Sequence, residues 1–180
     1  MTHCDLLRRR LMLGLGASAV LCQLPQVALA SRSTPKSLSF YNRHTGETSN
    51  HTFWMGGEYD PQALQSFNQV LRDHRTGEVT QMDQDLFNLL YDLQRSLGTD
   101  NRIEIISGYR SPKTNAMLAG KSSGVAKKSY HTRGMAIDIA IPGVELKDLR
   151  NAALELKRGG VGFYPRSGFV HVDTGRVRRW

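Results

Sequence analysis

Residues 129–141 read SYHTRGMAIDIAI, with His131 and Asp138 seven positions apart. Asp138 interrupts a run of Ala and Ile that otherwise reads as a buried strand. An ionised carboxylate there is costly unless something pairs with it. Period-two geometry puts Asp138 on one strand face with Ala136 and Ala140, and Ile137, Ile139 and Ile141 on the other. The isoleucines suit a core, and the alanines leave clearance around the carboxylate. In GFVHVDTG, residues 168–175, the same alternation groups His171 with Phe169 and Asp173, opposite Val170 and Val172. Two strands thus each offer a metal-capable side chain from one face, and His131 can fold back from its loop toward Asp138. His, Asp and His with a fourth position open make a catalytic zinc site. Zinc lowers the pKa of a water it holds toward about 7 and polarises a carbonyl oxygen. Singly, a loop histidine is most often no ligand and a strand aspartate is more often an ion-pair partner. The combination is what points to metal.

The elements that must position these residues follow from patterning. Ser31–Lys36 reads as a flexible leader. LSFYNR (38–43) and TSNHTFW (48–54) flank turn chemistry at His44–Glu47 and predict a β-hairpin. A helix is predicted over Tyr59–Arg75, with Asp60 as N-cap, Pro61 at the first helical position and a stripe of Leu64, Phe67, Val70 and Leu71. A second runs from Asp83 to Leu97, carries Leu86, Leu89, Leu90, Leu93 and Leu97 on one face, and stops at Gly98. A strand at Arg102–Ser107 leads into GYRSP, where Ser111 caps and Pro112 opens a short helix ending near Gly120. The polar KSSGVAKKS (121–129) reads as a mobile loop. Beyond it come a strand at Gly134–Ile141, a helix marked by Leu146, Leu149, Ala153 and Leu156 and closed by Gly159-Gly160, and strands near Gly160–Tyr164 and Phe169–Asp173. This mixture favours an α+β fold with a central antiparallel sheet bearing the zinc site and about three to four packed helices, rather than βαβ units.

The chain's first thirty residues stand apart. They carry a basic start, an apolar stretch from Leu11 to Leu24, and Ala28-Leu29-Ala30, which is a secretory signal with cleavage expected before Ser31. Arg8-Arg9-Arg10-Leu11-Met12 fits a twin-arginine signal, which exports folded proteins. The apolar stretch is short for a membrane-spanning helix. Residues 37–180 then form a single domain. Both cysteines, Cys4 and Cys22, fall in the signal, so the exported domain has no disulfide and no thiolate ligand. Without Asp5 and the three arginines, 21 basic residues face 15 acidic ones, a net +6. A polyanionic neighbour is expected, and after export an anionic wall polymer or membrane surface ranks above nucleic acid. His44, His51 and His74 read as plain surface residues.

SGYRS at 107–111, SYHTRGMAIDI at 129–139 and FVHVDTG at 169–175 resemble the three signatures of the zinc D-Ala-D-Ala metallopeptidases, a superfamily that includes lysostaphin-type enzymes and the hedgehog domain. With KKSYHT, GVGFYPRSGFVHVDTG and the terminal RRW, the pattern is similar to the MepK (YcbK)-type murein endopeptidases over essentially the whole chain. The resemblance implies one zinc ion held by His131, Asp138 and His171 on an antiparallel sheet, and hydrolysis of peptide cross-links in peptidoglycan in the periplasm of a Gram-negative bacterium. Arg110 corresponds to the family arginine beside the metal, where a planar cation suits a carboxylate or developing oxyanion; its bland reading is a pairing at the sheet edge. Ser107 and Tyr109 flank it, Tyr109 either lining the cleft or simply packing. Ser129 could orient a ligand.

One departure stands out. Many relatives place a glutamate three residues before the last ligand, or a histidine two before it, as general base. Here those positions are Gly168 and Phe169. Asp173 could orient a ligand imidazole or act as the base itself. The lysines of 121–129 read either as a solvated loop or as a basic lip for diaminopimelate carboxylates. The expected partner is the peptidoglycan stem peptide, with no nucleic acid and no stable membrane insertion after signal removal. Two rivals stay open: a carboxypeptidase trimming terminal D-Ala, and a non-catalytic, zinc-containing wall-binding module.

Overall fold

A computed structural model of the chain describes residues 34–121 and 125–180. The expected signal and the start of the leader lie outside the described residues. Among the described residues no helix is long and apolar enough to cross a membrane.

Strands β1 (Lys36–Asn42) and β2 (Thr48–Met55) form the expected hairpin, extended by the short β3 (Glu58–Tyr59). Lys36, expected in the leader, belongs to β1, and its ammonium donates to Asn88 Oδ1 at 2.7 Å. Helix α1 (Pro61–Val70) starts as predicted: Asp60 accepts from the backbone N–H of Gln62 and Ala63, which satisfies donors that the first turn leaves free. It ends five residues short of the expected Arg75. There Asp73 accepts from the Arg75 N–H at 2.9 Å, a local side-chain bond that competes with helix. Helix α2 (Gln84–Ser96) is capped by Asp83. Strand β4 (Ile103–Ser107) and helix α3 (Pro112–Lys121) follow, then a single 3-10 turn at Tyr130–Arg133 where a plain loop was expected. The chain closes with β5 (Ala136–Ala140), α4 (Leu146–Leu156), β6 (Gly160–Tyr164), β7 (Phe169–Asp173) and an unforeseen β8 (Arg178–Arg179). Helix α4 ends on Lys157 at φ 51° rather than on a glycine.

Among the described residues, eight strands share one sheet in the order β3-β2-β1-β4-β5-β7-β6-β8. The sheet is mixed, not antiparallel throughout: β1 pairs with β4 and β6 with β8 in parallel. Parallel pairing needs a crossover, and the α1–α2 segment supplies it by returning the chain to β4 alongside β1. Short turns are legible in a sequence, whereas the landing point of this long return is not. Helices α1, α2 and α4 pack on β1, β2, β6 and β7 over a core in which Phe40, Phe53, Phe67 and Phe87 meet, with Phe40 edge-on to Phe67 at 4.9 Å. Ile137, Ile139, Val170 and Val172 join that core. The opposite face carries Ala136, Asp138 and Ala140 from β5 and Phe169, His171 and Asp173 from β7.

Candidate metal centre and cleft

Strand register does the first half of the assembly. Asp138 pairs with His171 and Ala136 with Asp173 across β5 and β7, so the alternation read from each strand becomes one shared face. The 3-10 turn does the rest. Ser129 caps it, its Oγ accepting from the His131 N–H at 3.3 Å, and this turns His131 back over the sheet. The Gly108 carbonyl receives the His131 Nδ1–H at 2.7 Å. Gly108 comes this close because it lacks a Cβ, which would overlap the Leu71 carbonyl at the end of α1. Among the described residues, His131, Asp138 and His171 are the group able to hold a metal ion, with ligand atoms all within 4.8 Å of one another.

Proton positions follow from the outer partners. A backbone carbonyl only accepts, so His131 Nδ1 carries the proton. His171 Nε2 lies 2.9 Å from Asp173 Oδ2, and a carboxylate likewise only accepts. In the neutral form, both rings therefore turn bare nitrogens inward. His131 Nε2 and His171 Nδ1 stand 3.1 Å apart, and lie 3.3 and 2.8 Å from Asp138 Oδ1. Three potential ligand atoms thus converge on one point, where a metal ion or a ring proton can join them. This donor set fits a zinc ion with a position left open. Burial opposes the Asp138 charge, yet when the rings are protonated toward it, the charge on the adjacent His131 and hydrogen bonds from both rings hold its carboxyl well below the usual range. Burial also opposes charge on His171, but its bonds to Asp138 and Asp173 outweigh that and raise its pKa.

Asp173 sits on the far side of the His171 ring from the ligand atoms and is 0 % exposed. Its oxygens accept from the N–H groups of Gly160 and Gly175 and from Arg178, at 2.9 and 2.7 Å. Burial would raise its pKa; the His171 and Arg178 bonds overcome this and hold it low. Both Asp173 oxygens are thus taken by neighbouring donors, with His171 Nε2 at Oδ2. Gly159 and Gly160, expected to close α4, instead make room for Asp173 and Arg178.

Arg110 reaches Asp138 Oδ2 at 3.7 Å and donates to Ser107 Oγ at 3.3 Å and Asn115 Oδ1 at 3.4 Å. Burial pushes its pKa down while Asp138 opposes the shift. Tyr109 points elsewhere: it packs against the apolar core, its N–H bonded to the Leu71 carbonyl at 2.7 Å. His44 and His74 are more than plain surface residues, since their rings stack at 3.9 Å and His44 Nε2 lies 3.0 Å from the Ile106 carbonyl. His51 stays exposed.

Arg110, His131, Asp138 and His171 line a cleft of about 780 Å³, rimmed by Lys128, Arg133, Arg176 and Arg178. Its aromatic walls, Tyr130, Tyr164, Phe169 and Trp180, were not singled out from sequence as site residues. The available signal was period two: Gly162 and Tyr164 alternate in step with His171 and Phe169 across the β6–β7 hairpin.

A family model described as peptidoglycan L,D-endopeptidase MepK matches residues 30–180. The chain belongs to the MepK family. It is thereby a metallopeptidase of the M15 type. Peptidoglycan L,D-endopeptidase MepK of Escherichia coli strain K12 is 47% identical over 175 residues, covering 96% of each chain. Its counterpart from Shigella flexneri gives the same values. The probable peptidoglycan L,D-endopeptidase MepK of Haemophilus influenzae is 46% identical over 176 residues, 96% of this chain and 95% of its own. No solved structure matches significantly. The residues that build the candidate centre, from Ser107 to Arg178, all lie inside the span matched to the MepK family.

Proposed function

We propose that the chain is a zinc-dependent murein endopeptidase that hydrolyses cross-links between stem peptides, 3-3 diaminopimelate links included, in the periplasm after export. The observation that carries this reading is the convergence of two bare imidazole nitrogens and one carboxylate oxygen on the floor of an open, cation-rimmed cleft. His131 Nε2, Asp138 Oδ1 and His171 Nδ1 would hold the metal. When bound, zinc polarises a carbonyl oxygen and acidifies water. The rest falls to the chain itself. Gly108 and Asp173 fix the ring tautomers, and Arg110 places a planar cation where the carbonyl oxygen gains charge. The cationic rim favours substrates bearing several carboxylates, as diaminopimelate stems do. The relatives' L,D designation supports the 3-3 link, which joins an L to a D centre.

A muropeptide digest tests this directly. Wild-type protein should release monomers from cross-linked dimers, lose that activity to a chelator and regain it with zinc. His131→Ala and Asp138→Ala should be inactive. Cleavage by a verified metal-free mutant would sink the proposal, and digestion of monomeric pentapeptide alone would favour carboxypeptidase. A second reading has one observation behind it: apart from Asp138, His131 and His171, no carboxylate or imidazole lines the described cleft. Zinc-loaded protein that binds sacculi and releases nothing would make it a wall-binding module.

A further inference from the structure

Gly162, Tyr164 and Trp180 form a unit beside the metal-facing side chains that ligand binding alone leaves unexplained. Gly162 pairs with His171 and Tyr164 with Phe169, so alternation puts Tyr164 on the sheet face that carries His171. Gly162 leaves a berth for Trp180, because a Cβ there would stand 2.7 Å from the indole. The berth is closed from the backbone too: the Trp180 N–H donates to the Val161 carbonyl at 3.2 Å, and its carbonyl accepts from the Phe163 N–H at 3.1 Å. The indole lies 5.2 Å from the His171 ring, with the Arg178 guanidinium 4.8 Å over it.

Trp180 Nε1–H donates to the Tyr164 hydroxyl at 2.6 Å. An indole N–H can only donate, so the phenol oxygen accepts and its own proton remains free for another partner. The Tyr164 ring stacks on Phe169 at 4.6 Å. Both ends of the side chain are therefore held, and Tyr164 lines the same cleft as Arg110.

We propose that Tyr164 is a catalytic residue of the endopeptidase reaction described above, on which this inference rests. Its hydroxyl donates a hydrogen bond to the scissile carbonyl oxygen as that oxygen becomes anionic, complementing Arg110, and Trp180 is the positioning residue that aims it. Water oxygen adds to the carbonyl carbon, the C–N bond breaks, and the amine departs with a proton from that water. Tyr164 keeps its proton throughout, so nothing needs regenerating. Donors fixed in advance toward developing charge raise kcat because they act more strongly in the transition state than in the ground state.

Tyr164→Phe keeps the ring and its stacking and removes only the hydroxyl. In the zinc-loaded chain, kcat on a cross-linked dimer should fall about 100-fold, with KM nearly unchanged. Calorimetric affinity for a phosphinate analogue of the scissile amide should weaken by a similar factor, while zinc content and Tm stay at wild-type values. Trp180→Phe should give a smaller loss of the same kind. Wild-type kcat and phosphinate affinity in Tyr164→Phe would overturn the proposal, as would a loss confined to KM or accompanied by loss of zinc. If the wild type itself cleaves nothing, both readings fall together; an active wild type with an equally active Tyr164→Phe overturns this one alone.

Discussion

Two ring nitrogens that face away from the centre decide what the inward nitrogens can do. Gly108 and Asp173 accept the outer protons of His131 and His171, leaving the inner lone pairs for a metal. Carboxylate partners of this kind fix tautomer and raise ligand basicity. Asp173→Asn keeps the shape but removes the charge that favours the His171 N–H. Zinc affinity, read by competition with a fluorescent chelator, should fall between about 10- and 100-fold. Unchanged affinity would mean that Asp173 serves only Arg178 and the surrounding backbone. The same residue shows how far types and spacing reach: alternation placed Asp173 on the ligand face, but only coordinates show which nitrogen of His171 it meets.

Elements matter here chiefly where they touch. The end of α1 presses the Leu71 carbonyl against Gly108, and the next N–H, from Tyr109, bonds that same carbonyl. This contact holds the segment between β4 and α3, from which Gly108 supports His131 and Arg110 enters the cleft. Gly108→Ala should force the two apart, costing roughly 1–3 kcal/mol by overpacking and weakening zinc binding as well. Urea denaturation with and without zinc checks both; wild-type behaviour in each would show that α1 does not set this loop. Periodicity made α1, α2 and α4 readable as helices, and turn chemistry made the β1–β2 hairpin readable. The parallel β1–β4 pairing was not, because strand direction depends on where a crossover lands rather than on either strand's residues.

Across the whole molecule, acid should act in two stages. His74, stacked on His44, is pushed down to about 4, first by burial and then by the neighbouring His44 and Arg75 charges. The folded state thus disfavours its protonation, and the unfolded chain binds the extra proton between about 6.5 and 4. Stability should decline as pH falls through that window, and the Tm of His74→Gln should decline less steeply there. Parallel curves would remove the stacked pair from the account. Asp73 acts lower: despite burial, bonds from Thr114, Arg75 and Ser111 hold its carboxyl well down. Its contribution is complete above the ordinary aspartate range and is lost only below it. Because Asp73 accepts from the Ser111 N–H at 2.9 Å, this second stage loosens the start of α3 next to Arg110.

By itself the sequence determined local things: which faces Asp138 and His171 occupy, where Asp60 and Ser111 start helices, and which apolar stripes are buried. Alternation and capping are short-range geometry, and the order of residues carries them completely. Tertiary structure decided the rest. Register set Asp138 against His171, a crossover turned β4 parallel to β1, and closure of the chain's end brought Trp180 over Gly162 and onto Tyr164. Those outcomes depend on packing between segments far apart in sequence, where one missing Cβ at Gly162 or Gly108 determines which group can approach the site.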